Sequence, residues 1–226
     1  MNLKNNFDNF ELFTHRRHLA RFICRYELFK KILNTEGSII ECGVYNGSGI
    51  LSFAKLSEIF EPYSIKRKII GFDSFEGFLD TKNKKDKNIK QKNPLLKKNK
   101  FKVDDKKFKE INRAIKEFNK ERYLDQFQKV ELVKGDAVKT IPKYLKENKH
   151  LIIALLFVDF DLYKPCKVAL KNFIPRMTKG SILAFDEINN SGWPGETSAL
   201  IEELSDLRKV KIEKFHFDSN ISYIIL

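Results

Sequence analysis

The sequence is short of the features that would set it outside the ordinary globular classes. It has three cysteines in 226 residues, Cys24, Cys42 and Cys166, and no Cys-x-x-Cys pair. That excludes a disulfide framework and a cysteine-based structural zinc site. Its longest apolar run, Leu151 to Val158, is far below the roughly 18 residues needed to cross a bilayer. The start, Met1-Asn-Leu-Lys-Asn-Asn-Phe-Asp8, lacks the apolar core of a signal peptide, so a cytoplasmic location without a membrane partner is expected. No internal repeat is visible. Acidic residues are outnumbered by basic ones, 30 against 43, for a net charge of +13. The excess is local: residues 82–109 hold thirteen lysines against Asp86, Asp104 and Asp105. The rest of the chain is close to neutral. Hydrophobic residues make up 42%, and 20 phenylalanines argue for a sizeable core in one elaborated domain.

Residues 7–33 read as helical, with Phe10, Phe13, Leu19, Phe22, Ile23, Tyr26, Phe29, Ile32 and Leu33 near a 3.6 period, broken around Thr14. Beyond Gly37 the pattern becomes alternating strands (38–42, 68–72, 130–133, 151–158, 181–185) and helices (about 48–60, 137–147, 164–173, 196–208). Fully apolar strands belong in a parallel sheet covered on both faces, which makes this an α/β, doubly wound fold. Val210–Phe217 and Ile221–Leu226, separated by Asp218-Ser-Asn220, predict a C-terminal antiparallel hairpin. Such a sheet ending in a hairpin resembles class I, Rossmann-like methyltransferases. The organisation expected is an N-terminal helical cap over 1–36 and one cofactor-binding domain over 37–226. A basic insertion spans 80–122. Its lysine-rich part is expected to be a mobile loop or lid, followed by an amphipathic helix through Phe108, Ile111, Ile115 and Phe118.

Three strand ends carry acids. The first strand runs into Glu41-Cys-Gly43-Val-Tyr45-Asn46-Gly47-Ser48-Gly49, a glycine turn whose spacing is not the Gly-x-Gly-x-x-Gly of dinucleotide sites. Glu41 would repel a pyrophosphate but suits the ammonium of a methionine moiety. A plain βα turn with a buried glutamate is the structural alternative. Asp73, ending the second strand, is placed to accept from both hydroxyls of a ribose. Asp136 follows the third and is placed for an adenine amino group, or else caps the next helix. The ligand that matches Glu, Asp and Asp in this order is S-adenosylmethionine.

A second acidic set follows strands four and five: Asp159-Phe-Asp161 and Asp186-Glu187. Adjacent parallel strands lie about 4.8 Å apart, so these carboxylates can converge. Oxygen-only ligands favour a hard cation, Mg²⁺ with Ca²⁺ or Mn²⁺ as substitutes. One of Asp159 and Asp161 is expected to cap the helix opening at Lys164-Pro165, the other to bind metal.

These motifs, with Gly71-Phe-Asp-Ser-Phe-Glu-Gly77, Pro142 and Asp159-Phe-Asp-Leu-Tyr163, resemble the macrocin O-methyltransferase family, Mg²⁺-dependent sugar O-methyltransferases, over about residues 36–200. The resemblance implies S-adenosylmethionine contacts at Glu41, Gly43, Asp73, Ser74 and Asp136. The turn residues Tyr45, Asn46, Gly47 and Ser48, with Ala137 and Asp159, complete the expected cofactor set. It implies metal ligation by Asp159, Asp186 and Glu187. Asp159 or Asp161 would act as the catalytic base, or a metal-lowered pKa alone would release the proton. Two departures stand out: the family has Asp-Asp where this chain has Asp186-Glu187, and its lid is not lysine-rich. The acceptor expected is a small sugar-like molecule, and a cationic lid is compatible with an anionic, phosphorylated or nucleotide-linked one. Helices beside the sheet edge and the N-terminal region offer surfaces for a homodimer.

Other residues carry weaker signals. His15-Arg16-Arg17-His18 reads as a solvated basic face, the alternative being that Arg16 or His18 reaches over the site. Trp193 is a wall for a sugar ring or a rim packing residue. Cys166 sits at a helix start, which speaks against a nucleophile. Rival functions are an RNA methyltransferase or nucleic-acid-binding protein and a non-catalytic cofactor-binding domain. Nucleic acid is disfavoured as a partner: the basic segment lacks arginine and interleaved aromatics for stacking, and no Asn-Pro-Pro-Tyr-like turn follows strand four.

Overall fold

The computed structural model describes residues 9–226, leaving aside 89 and 91; the first eight residues of the expected cap lie outside these. The chain opens with the short helix α1 (Phe10–Phe13) and the long α2 (Arg16–Lys31), separated at Thr14. Strands and helices then alternate: β1 (Ser38–Cys42), α3 (Ser48–Phe60), β2 (Ile69–Asp73), α4 (Asp105–Lys120), β3 (Val130–Lys134), α5 (Ala137–Glu147), β4 (Ile153–Val158), α6 (Tyr163–Phe173), β5 (Met177–Phe185) and α7 (Pro194–Leu204). Two short strands close the chain, β6 (Glu213–Lys214) and β7 (Ser222–Ile225). They form one seven-stranded sheet of order β3-β2-β1-β4-β5-β7-β6. The first five strands are parallel, and β7 is antiparallel to both β5 and β6. No helix among the described residues is long and apolar enough to cross a membrane.

The central strands are apolar because both faces are covered. Every residue of β4, Ile-Ala-Leu-Leu-Phe-Val, is fully buried. Ile39, Leu155, Phe157, Ile182 and Ala184 face α2, α3 and α4, while Ile40, Leu156, Val158, Leu183 and Phe185 face α5, α6 and α7. Residues Cys24, Leu28, Phe29 and Ile32 of the N-terminal region lie in the same cluster as the strands. At about 25 cal/mol per Å² of apolar surface, each such side chain contributes roughly 1.5–3 kcal/mol.

The C-terminal strand is shorter than the alternation of 210–217 suggests. A 3₁₀ turn at Leu207–Lys209 precedes it, and only Glu213 and Lys214 pair with β7. Val210 and Ile212 are drawn instead onto the apolar cluster under α6 and α7.

Two glycines, one just after β1 and one in the first turn of α3, position the acids. An added Cβ at Gly43, whose φ is +95°, would overlap the Asp159 carbonyl oxygen. One at Gly49 would overlap Glu41 Oε1. Side chains are missing there so that β1 can approach the β4 loop and α3 can approach the Glu41 carboxylate. The ladder also continues past the strands: the amides of Gly43, Asp159 and Asp186 donate to the carbonyls of Phe72, Cys42 and Val158 (2.9, 2.8 and 3.1 Å). The acids that follow are therefore held side by side.

Candidate active site

The sheet order reverses between β1 and β4, and a crevice outside the carboxyl ends of the strands is expected at such a switch point. A cavity of about 440 Å³ lies there. Gly43 and Tyr45 from the β1 turn, Asp73 and Ser74 after β2, and Asp136 and Ala137 after β3 line it. So do Asp159 and Asp161 after β4 and Asp186 and Glu187 after β5. Ten expected site residues are thus brought together. Glu41, Asn46, Gly47 and Ser48 do not line the cavity.

Asp73 is fixed by backbone donors. The Tyr45 amide donates to Oδ2 (2.8 Å) and the Phe75 amide to Oδ1 (2.6 Å); burial outweighs them and raises its pKa. Ser74 shapes the turn below, donating to the Gly77 carbonyl and accepting from the Glu76 amide. Asp136 caps α5, its Oδ1 accepting from Val138 N at 3.0 Å, while also facing the cavity. Glu41 is buried behind the turn. It accepts from the Ile50 amide and faces Arg25, and desolvation pushes its pKa to about 8. Its Oε2 has no hydrogen-bond partner among the described residues.

The acids of β4 and β5 crowd one another. Burial raises Asp159 well above the usual carboxylate range, with the Asp186 and Asp161 charges adding to the rise. Asp161, at φ +59°, is raised to about 8 by burial and by Glu187 and Asp186. Asp186 and Glu187 are also raised by burial. Their partners come from elsewhere. Arg21 of α2 donates through Nη1 to Asp186 Oδ1, and its Nε lies 3.3 Å from Asp218 Oδ2. Asn190 Nδ2 donates to Glu187 Oε2, and Asn220 Nδ2 to Glu187 Oε1 (3.4 Å). Among the described residues, no group of three or more His, Cys, Asp or Glu side chains has the proximity to hold a metal. The carboxylates at the mouth are the right donors for a hard cation, but Asp186 and Glu187 are engaged by Arg21, Asn190 and Asn220.

Neither Asp159 nor Asp161 caps α6, contrary to the sequence expectation. The Tyr163 amide donates instead to Asp86 Oδ1 (2.5 Å), from the basic segment. That segment is docked at several points rather than free. Asn88 and Asn93 donate to the carbonyls of Ser191 and Gly192 (3.0 and 2.7 Å). Lys85 pairs with Glu202 and stands over the Tyr163 ring at 4.3 Å. An aromatic wall completes the cavity: Phe78 meets Phe101 (5.4 Å) and Trp193 (5.7 Å), and Phe101 meets Tyr45 (5.7 Å).

His15, Arg16, Arg17 and His18 are exposed, in keeping with a solvated face. Cys166 is buried with its thiol pKa raised well above the usual value by desolvation, the opposite of an activated nucleophile. Sequence reasoning missed Arg21, Arg25, Asp86 and Glu196 as partners of the site. The two arginines had a signal: at i, i+4 with Cys24, Leu28 and Phe29 between and after them, they share the inward stripe of α2.

The comparison with curated proteins returned no match. Among solved structures, CalS11, a calicheamicin methyltransferase, superposes with a TM-score of 0.90 at 30% identity, covering 100% of this chain and 86% of that one. An apo structure of CalS11, described as a TDP-rhamnose 3'-O-methyltransferase, gives 0.83 at 28% identity with the same coverage. The O-methyltransferase NovP shares the fold (TM-score 0.70, 18% identity, 91% of this chain and 78% of that one). The macrocin-O-methyltransferase family model matches residues 4–223. The chain belongs to the macrocin O-methyltransferase family, a family of S-adenosylmethionine-dependent sugar O-methyltransferases.

Proposed function

We propose that this chain methylates a hydroxyl of a sugar or sugar-like acceptor with S-adenosylmethionine, assisted by a divalent cation, Mg²⁺ first among the candidates. The observation that carries the reading is the switch-point cavity, acidic along the strand ends and aromatic opposite. Backbone N–H groups, those of Tyr45 and Phe75 among them, orient the Asp73 carboxylate toward the cavity, where its oxygens would accept from the two ribose hydroxyls. Asp136, Ala137 and Val138 would line the adenine end. Gly43 lets the turn approach the cofactor. Glu41 acts from behind that turn, through the Ile50 amide, rather than by direct contact.

S-Adenosylmethionine supplies an electrophilic methyl on a sulfonium, and the cation, held by Asp159, Asp186 and Glu187, would polarise the acceptor oxygen. Asp161 is assigned the hydroxyl proton: it lines the cavity two residues beyond Asp159, on the turn that faces Asp186 and Glu187. Holding the hydroxyl in line with the methyl supplies most of the acceleration. Trp193, Phe78 and Phe101 offer apolar faces to a sugar ring. The thirteen lysines of 82–109 are all exposed and none lines the cavity, whereas Lys164 does. An acceptor phosphate would meet Lys164 at the rim or the lysines outside, and the methylated ring itself is uncharged. Cytoplasmic placement and a homodimer belong to the same reading. The exposed Leu12, Phe13, Phe22 and Ile23 support self-association through α1 and α2.

The test is methyl transfer to a panel of nucleotide-linked and free sugars, before and after chelation. Turnover should vanish in excess EDTA and return with Mg²⁺. Full activity in EDTA removes the cation from the reading. Failure to bind S-adenosylhomocysteine in calorimetry removes the reading itself.

A further inference from the structure

Glu196 has no part in the cofactor, cation or acceptor reading. It does not line the cavity, yet it is a fully buried carboxylate in the first turn of α7. Burying an acid is costly unless its oxygens are hydrogen-bonded, and both are. Oε1 accepts from the Asp161 amide (3.2 Å) and Oε2 from the Glu187 amide (3.0 Å). Those amides belong to the two turns that leave β4 and β5 with the acids of the site. The side chain is therefore a single bridge between two arms 26 residues apart in sequence. A helix N-terminus is also the place where an anion is stabilised by the helix dipole.

The bridged turn is one that needs holding. Asp161 sits at φ +59°, a conformation that a non-glycine residue keeps only when its surroundings over-determine it. Two buried carboxylates from different segments grip it, Glu196 at the Asp161 amide and Asp86 at the Tyr163 amide. Of these, Glu196 alone also reaches the β5 arm.

We infer that Glu196 is a positioning residue, which fixes the separation and orientation of the Asp159–Asp161 turn relative to Asp186–Glu187 so that both arms address one acceptor hydroxyl. The functional half rests on the methyl-transfer reading above; the structural half does not. Replacing the carboxylate with an amide puts an NH₂ group against one of two N–H donors, so one arm is released. Glu196→Gln should raise amide hydrogen exchange at Asp161, Glu187 or both by at least tenfold, with the amides inside β4 and β5 unchanged. In turnover, kcat should fall about ten- to a hundredfold while KM for S-adenosylmethionine stays within twofold. Glu203→Gln, a change on the same helix as Glu196 that weakens a partly exposed pair with Lys167 of α6, should change neither. If Glu196→Gln does not fold, Glu196→Asp, one methylene too short to reach both arms, takes its place in the same assays. Unchanged exchange at both amides overturns the bridge. Faster exchange with kcat within twofold of wild type overturns its role in catalysis. A wild-type protein that neither binds S-adenosylhomocysteine nor methylates any acceptor convicts the functional reading instead, and the exchange result still decides the bridge.

Discussion

Replacing Arg21 with methionine tests how the acids of the site are kept together. The substitution preserves most of the apolar stem and removes the guanidinium that pairs with Asp186 and Asp218. Those carboxylates are 11% and 8% exposed and Arg21 is 23% exposed, so the network is mostly but not wholly desolvated. Breaking a buried pair by removing one partner costs about 3–5 kcal/mol; with Arg21 still in partial contact with water, roughly 2–3 kcal/mol is expected. For a chain of this length each kcal/mol lowers Tm by about 2–4 °C, so R21M should melt roughly 5–10 °C lower in chelator. Mg²⁺ should recover much of that loss, because a cation can replace the missing positive charge beside Asp186. The same change should tighten Mn²⁺ binding about tenfold, measured by electron paramagnetic resonance, since about 1.4 kcal/mol of competition is removed. A variant that melts with wild type and binds Mn²⁺ no better would refute the argument that Arg21 neutralises these acids and competes for them.

Two further outcomes follow from the geometry. Asp73→Asn keeps the shape but turns one acceptor oxygen into a donor facing the Tyr45 or Phe75 amide. S-Adenosylhomocysteine affinity in calorimetry should fall about 10- to 100-fold, in line with a lost charged hydrogen bond and an unpaired donor; an unchanged Kd would remove Asp73 from the ribose role. The metal-free protein should also lose stability as pH rises. Glu41 and Asp161 are raised to about 8 in the folded state, and Asp159, Asp186, Glu187 and Glu196 are raised as well, in each case chiefly by burial. Above about pH 4 the unfolded chain has released protons that the folded one still holds, so the slope is negative, with Glu41 and Asp161 giving theirs up only near pH 8. Tm recorded from pH 5 to 8.5 should decline, and a rise across that range would contradict the burial argument.

The elements were legible because their signals are local. The period of 48–60, the apolar run of β4 and the Asp136 cap depend on residues within a turn or two of one another, and α3 and α5 start and stop where the sequence puts them. The strand-end acids were legible for the same reason, since a strand that ends on Asp or Glu before a glycine turn declares itself without knowledge of its neighbours. What failed were statements about who satisfies whom. The helix α6 was expected to be capped by its own acids, and a residue 77 positions earlier does it. Asp86 lies among lysines, in a stretch whose composition reads as solvated, and only the three-dimensional path shows that its carboxylate is buried.

The charge distribution shows why the N-terminal helix belongs to the site. The strand ends present a run of carboxylates, and the lysine-rich segment beside them turns its lysines to solvent. The compensating cations are Arg21 and Arg25, delivered by α2 to Asp186 and toward Glu41. A guanidinium suits that task because it is never deprotonated and can serve two carboxylates from one plane, as Arg21 does for Asp186 and Asp218. The net charge of the chain is therefore a poor guide to the field inside the cavity. The many lysines set the outer surface, while two arginines and a set of buried acids set the field within.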